Sequence, residues 1–242
     1  MLNSEERLDD LGGGLFLIQN PKLFCFGIDA VLLSSYARVH KGETVVDLCS
    51  GNGIVPILLS AKTKAEKILG IEIQKASYDM AVRSVEYNNL SDRVKMINAD
   101  IRELDNILSD IRADIVTVNP PYMKVNAGAG SVRRELEIAR FEEECTLKDV
   151  ICASRKLLNS KGRFYMVHRP LRLVEILKTM SDYGIEPKRM RMVQPFAGEE
   201  PNLVLIEGIS GAGPELRTES PLIIYDFPGS YTKEVRAWYG CK

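Results

Sequence analysis

Thr44-Val45-Val46-Asp47-Leu48-Cys49-Ser50-Gly51-Asn52-Gly53 is the stretch that decides the fold. Its first five residues, mostly aliphatic and β-branched, read as a buried strand. The small polar run that follows reads as a turn into an apolar helix from Ile54 to about Ala61. The same alternation recurs downstream. Ile68–Ile73 precedes a helical pattern at 76–89, and Val94–Ile97 precedes another near 102–108. Asp114–Val118 runs directly into Asn119-Pro120-Pro121-Tyr122, and Gly162–His168 is a fifth strand.

Short apolar strands separated by helices imply βαβ units, hence a parallel sheet covered on both faces. Right-handed crossovers then bring every strand's carboxyl end to one edge, where open α/β sheets bind ligands. After the fifth strand a helix at 171–183 leads to strands at 189–193 and 202–209. The short, turn-rich link between those two predicts antiparallel pairing. The expected architecture is α/β: a mostly parallel seven-stranded sheet with helices on both faces and an antiparallel last strand. The domain is placed at 41–210. A lead-in of one strand-like segment and a helix occupies 1–40, and an extension occupies 211–242, with a loop at 211–214 and a helix at 231–239.

Composition narrows the class. Of 242 residues, 45% are hydrophobic and 27% charged, as in ordinary globular proteins. No apolar run approaches the roughly 20 residues of a membrane span, and the acidic, polar start MLNSEERLDD does not read as a secretory signal. The five cysteines show no CxxC pair, and His40 and His168 have no acidic or cysteine partner nearby in sequence. Neither a disulfide framework nor a metal site is therefore expected, and a reducing cytoplasm is the expected location. Net charge is only −1, yet residues 124–191 hold 15 Lys and Arg against 9 Asp and Glu. The block includes Arg133, Arg134, Arg155, Lys156, Lys161, Arg163, Arg169, Arg172, Lys188, Arg189 and Arg191. Such a block either meets nucleic-acid phosphates or is solvated surface.

Four segments at strand ends carry the chemistry. In Asp47–Gly53 the glycines let backbone approach a ligand and let helix pack on strand. The run has neither the G-x-G-x-x-G spacing nor the Lys and Ser/Thr of a phosphate loop. Glu72, beside Ile73 at the end of the second strand, is placed to accept both hydroxyls of a ribose. Asp100 after the third strand is placed to accept an adenine amino hydrogen with Ile101 against the ring, or to cap a helix. At Asn119-Pro120-Pro121-Tyr122 two prolines remove two N–H donors and leave carbonyls as pure acceptors. A planar amino group has a delocalised lone pair, so it reacts only when both hydrogens are accepted. The Asn119 side-chain oxygen and the Pro120 carbonyl supply those acceptors, and the Tyr122 ring stacks on the planar group. No strong base is needed, because the proton is shed after transfer.

Together Asp47–Gly53, Glu72, Asp100 and Asn119–Tyr122 resemble the motif set of class I S-adenosyl-L-methionine-dependent amino-nitrogen methyltransferases, with Cys49 where the family's loop has its first glycine. That resemblance implies a Rossmann-like fold and S-adenosyl-L-methionine as cofactor. Gly14–Asn20 and Phe24–Leu33 (Phe-Cys-Phe-Gly-Ile-Asp-Ala-Val-Leu-Leu) resemble the lead-in of the bacterial tRNA1(Val) adenine-N6 methyltransferase family. Ala139-Arg140-Phe141-Glu142 is similar to a later family segment, with Phe141 where histidine is expected. The resemblance implies an adenine 3′ of the anticodon as substrate. It also places Phe26 and Gly27 at the methionine end of the cofactor, with Asp29 capping the first helix and lining the pocket.

The catalytic expectation is therefore Asn119, Pro120 and Tyr122. The cofactor set is Phe26, Gly27, Asp29, Asp47, Cys49, Gly51, Gly53, Glu72, Ile73, Asp100, Ile101 and Asn119. RNA is expected to meet residues 124–191, and no metal or membrane is expected to take part. Alternatives are methylation of a glutamine amide in a protein such as a release factor, methylation of an rRNA amino nitrogen, and a cofactor-binding scaffold without turnover. The short segment before Asp47 leaves little room for the helical substrate domain of glutamine-amide enzymes.

Overall fold

The computed structural model describes residues 2–23, 25–104, 111–120 and 145–239. A hairpin, β1 (Arg7–Gly12) and β2 (Leu15–Gln19), precedes α1 (Ile28–Tyr36). Then follow β3 (Thr44–Leu48), α2 (Ile54–Lys62), β4 (Lys67–Glu72), α3 (Lys75–Tyr87), β5 (Val94–Asn98) and β6 (Ala113–Val118). Beyond residue 145 come α4 (Leu147–Leu157), β7 (Leu158–His168), α5 (Leu173–Asp182), β8 (Ile185–Gln194), β9 (Leu203–Ser210) and β10 (Arg217–Ile223). A small ribbon, β11 (Tyr225–Phe227) with β12 (Ser230–Tyr231), and α6 (Lys233–Tyr239) end the described chain.

Eight strands form the main sheet in the order β10-β8-β9-β7-β6-β3-β4-β5. β8 and β9 pair antiparallel as the sequence implies, with Val193 opposite Leu203. The eighth strand comes from the tail expected as an extension. β10 runs parallel to β8, Arg217 opposite Arg189 and Ile223 opposite Gln194. Among the described strands of this sheet β9 alone is reversed, and it is the strand expected to be antiparallel at 202–209. The strand order reverses between β3 and β6, which is where such sheets open a ligand crevice.

Each strand feeds two cores because its side chains alternate between faces. Val45, Ile68 and Ile115 point into one core with α1, α2 and α3. Val46, Leu69 and Val116 point into the other with α4 and α5. α4 buries Leu147, Val150, Ile151, Ser154 and Leu157, the spacing of one helical face. It starts at a capping box: Thr146 Oγ1 accepts from Asp149 N at 3.2 Å, and Asp149 Oδ2 accepts from Thr146 N at 2.9 Å. The helix expected near 102–108 opens as a 3-10 turn, Ile101–Glu103, and residues 105–110 lie outside the described residues. No described helix is long and apolar enough to cross a membrane.

Candidate active site

The loop after β3 has three left-handed residues, Cys49 (φ 56°), Gly51 (φ 55°) and Gly53 (φ 83°). A β carbon on Gly53 would sit 3.0 Å from Ala81 Cβ, so that glycine lets α2 start against α3. A β carbon on Gly51 would meet nothing within 4 Å. Gly51 borders open space at the carboxyl edge, and its N–H donates to Glu72 Oε2 at 2.7 Å. Glu72 Oε1 accepts from Gln74 N at 2.8 Å. Burial pushes the Glu72 carboxyl above its ordinary pKa against the pull of its backbone bonds. Ile73 N–H adds a third backbone bond, and the two carboxylate oxygens keep acceptor capacity beyond these donors.

Asp47 lies deeper, 1% exposed. It accepts from Ser50 Oγ at 2.6 Å and from Thr117 Oγ1 at 2.6 Å, tying the end of β3 to its loop and to β6. Burial pushes its pKa up to about 7, against the pull of those two bonds.

Phe26 and Gly27 sit just before α1, and a residue not singled out by the sequence joins them to the loop. Gln19, 1% exposed, accepts at Oε1 from Phe26 N at 3.0 Å and from Asn52 Nδ2 at 3.2 Å, and it donates to Asp9. Asp29 does not cap α1. Gly27 is the N-cap, without a side-chain cap bond, and Asp29 stands in the first turn with its carboxylate beside Gly27. A carboxylate there is still favoured by the partial positive charge of the helix start.

Asp100 caps the 3-10 turn by accepting from Arg102 N at 2.8 Å, and its carboxylate also binds the Arg102 guanidinium at 2.5 Å. That bond holds the carboxyl below its ordinary range. Ile101 is buried below it, whereas Ile73 is 44% exposed, unusual for isoleucine.

Asn119 follows β6. Its side-chain oxygen is buried and has no hydrogen-bond partner among the described residues. Pro120 beside it lines a cleft of about 130 Å³ with Cys145, Thr146, Leu147, Val150, His168 and Arg172. His168, for which no role is expected from its sequence context, ends β7 in this cleft. Its Nδ1 accepts from Arg169 N at 2.8 Å, which leaves the proton of the neutral ring on Nε2. Burial pulls its pKa down to about 4. Pro121, Tyr122 and the segment 139–142 lie outside the described residues.

The described part of the basic block is largely engaged within the chain. Arg163 pairs with Glu43, Arg172 with Glu175, Arg189 with Glu207 and Glu219, and Arg191 with Glu234. Lys188 donates to the carbonyls of Gly213 and Pro214. Arg155, Lys156 and Lys161 are exposed, but they lie where α4 runs into β7, at the amino edge of the sheet. The edge bearing Asn119 is the opposite one. Arg133 and Arg134 lie outside the described residues.

The chain and its fold are similar to those of known proteins. The model for the TRM5/TYW2 methyltransferase domain matches residues 34–133. The chain is 26% identical over 187 residues to the tRNA1(Val) (adenine(37)-N6)-methyltransferase of Porphyromonas gingivalis, covering 75% of this chain and 72% of that one. A predicted O-methyltransferase from Agrobacterium tumefaciens superposes with a TM-score of 0.71 at 20% identity, over 88% of this chain and 96% of that one. The chain has the class I methyltransferase fold. The resemblance to the tRNA1(Val) adenine-N6 family, drawn from the lead-in and the strand-end motifs, is borne out by such relatives. The fold of this methyltransferase is also similar to that of Methanocaldococcus jannaschii Trm5 in complex with adenosine, with a TM-score of 0.61 at 16% identity over 87% of this chain and 57% of that one.

Proposed function

We propose that the protein transfers a methyl group from S-adenosyl-L-methionine to the exocyclic amino nitrogen of an adenine in a tRNA anticodon loop, 3′ of the anticodon. One observation carries the chemistry. The Asn119 side-chain oxygen is a buried acceptor without a partner among the described residues, at the end of β6 beside the Pro120 cleft. An orphaned acceptor costs stability, so its retention fits a donor brought by substrate. The relatives' activity directs the choice of adenine in tRNA.

The residues fit the cofactor. Glu72 retains acceptor capacity for the ribose hydroxyls, Ile73 and Ile101 flank the adenine, and Gly51 leaves open space for the chain of atoms toward Asn119. Phe26 and Gly27 close the methionine end, with Gln19 holding them against the loop. The bound cofactor supplies a methyl group made electrophilic by its sulfonium. Asn119 Oδ1 and the Pro120 carbonyl accept the two amino hydrogens, Tyr122 stacks on the base, and the lone pair is aimed at the methyl. The adenine reaches the cleft by leaving the loop stack, which costs less there than in a duplex. The basic region 124–191, Arg133 and Arg134 included, supplies the phosphate contacts.

Incubation with labelled donor and separate tRNA, rRNA and release-factor fractions tests this reading. Label in tRNA, mapped to the amino nitrogen of the adenine 3′ of the anticodon, supports it. Label in the rRNA or protein fraction overturns the substrate.

A further inference from the structure

The acceptors at Asn119 and Pro120 hold an amino group without telling a purine from an amide, since both present two N–H bonds on a planar nitrogen. His168 stands beside them. Val118 pairs with Met166 in parallel register, and two residues further along the same register Pro120 comes opposite His168, one strand spacing of roughly 5 Å away. Both residues line the same cleft, and Leu147 and Val150 of α4 give that cleft an apolar wall. The His168 ring is 1% exposed and fixed at one nitrogen, Nδ1 accepting from Arg169 N at 2.8 Å, with the Arg169 carbonyl farther off at 3.3 Å. Its proton is therefore on Nε2. Burial pulls the pKa down to about 4, so near neutral pH the ring is an uncharged donor.

We propose that His168 determines the specificity of this site, its Nε2–H donating to a ring nitrogen beside the amino-bearing carbon of the target base. Adenine has an acceptor nitrogen on each side of that carbon, N1 bonded to it directly and N7 across the ring fusion. A glutamine amide has no ring nitrogen and offers this donor no acceptor. A buried donor that reads such an acceptor rejects a ligand lacking it far more strongly than a change of apolar bulk would. His168 thus makes the choice that the Asn119 and Pro120 acceptors leave open. An uncharged ring also adds no positive charge beside the sulfonium of the bound cofactor. This role rests on the proposed function, because it requires a base held at Asn119 and Pro120.

Methyl transfer is measured on an anticodon stem-loop RNA carrying adenine, 1-deazaadenine or 7-deazaadenine at the target position. The natural protein, His168→Leu and His168→Gln are compared, with cofactor affinity and thermal midpoint followed in each. In the natural protein kcat/KM should fall by about tenfold or more on one of the two analogues. His168→Leu should lose about the same factor on adenine and no further factor on that analogue. His168→Gln, which keeps an N–H donor, should recover part of the loss on adenine, and cofactor Kd should stay within about threefold in both variants. Two analogues methylated as well as adenine overturn the proposal, and that arm needs only the natural protein, so it decides even if a variant folds poorly. Losses that multiply independently when analogue and His168→Leu are combined also overturn it, being the mark of a residue that only supports the cleft. No transfer to the adenine stem-loop refutes the proposed function and this role with it. Transfer to adenine with both analogues equally good refutes the role alone.

Discussion

Gln19 Oε1 lies 3.2 Å from Asn52 Nδ2, so the N-terminal hairpin is hydrogen-bonded to the loop after β3, the proposed cofactor loop. The same oxygen accepts from Phe26 N at 3.0 Å. One buried acceptor thus sets the spacing between the segment before α1 and the loop after β3. Gln19→Leu strands two donors and is expected to cost about 1–3 kcal/mol. Cofactor affinity should fall by about tenfold, measured by calorimetry at a temperature where the variant is folded. Gln19→Glu keeps the acceptor and should retain most of that affinity. Equal loss in both variants would remove the acceptor from the account.

Asp47 gives a pH signature. Its pKa rises on folding from 3.8 to about 7, so the folded state binds its proton more tightly than the unfolded chain. The associated stability is present in full below 3.8 and is lost as pH rises through about 7. Chemical denaturation across that window should show a decline for the natural protein that Asp47→Asn lacks. Parallel curves would mean that the buried carboxyl does not titrate there.

The two loop glycines should separate by what they lose. Gly53→Ala meets Ala81 at 3.0 Å in a left-handed conformation and should cost about 1–3 kcal/mol of stability. Gly51→Ala pays the same backbone strain, but its methyl enters open space. Its distinctive deficit should be in cofactor binding, read as a rise in Kd beyond that of Gly53→Ala. The reverse order would place the cofactor elsewhere.

Charge variants test which basic residues meet RNA. Arg155→Ala and Lys161→Ala alter the amino edge and should leave RNA affinity and its salt slope unchanged. Arg133→Ala with Arg134→Ala should weaken RNA binding and reduce the salt slope by roughly one to two. Arg189→Ala should act differently, costing about 3–5 kcal/mol of stability, because it leaves Glu207 without its partner in a nearly buried site. RNA affinity lost at Arg155 instead would shift the interface to the opposite edge.

Sequence reading reached the elements whose signal is local. β3, β4, β5 and β6 are short, mostly apolar runs, and their bounds fall within about two residues of the sequence expectation. Glu72, Asp100 and Asn119 were legible because each ends such a run. β10 was not, since Arg-Thr-Glu-Ser-Pro-Leu-Ile is mostly exposed and is a strand because β8 offers it an edge. α4 does carry a local signal in the Thr146–Asp149 capping box and the spacing of Leu147, Val150, Ile151 and Ser154. Gln19, Thr117, His168 and Cys145 have no signal of that kind. Gln19 and Thr117 act through partners 33 and 70 residues away, and His168 and Cys145 through a cleft that exists only once α4 packs beside β6.

The central claim is that Asn119 acts on the substrate amino group and not on the fold or the cofactor alone. Asn119→Ala is the direct measurement, with single-turnover methyl transfer to tRNA and cofactor affinity determined on the same preparation. The account predicts that transfer falls by about two orders of magnitude or more while cofactor Kd changes by no more than about threefold. Cofactor affinity that collapses in step with the rate, or transfer that survives the substitution, would contradict it.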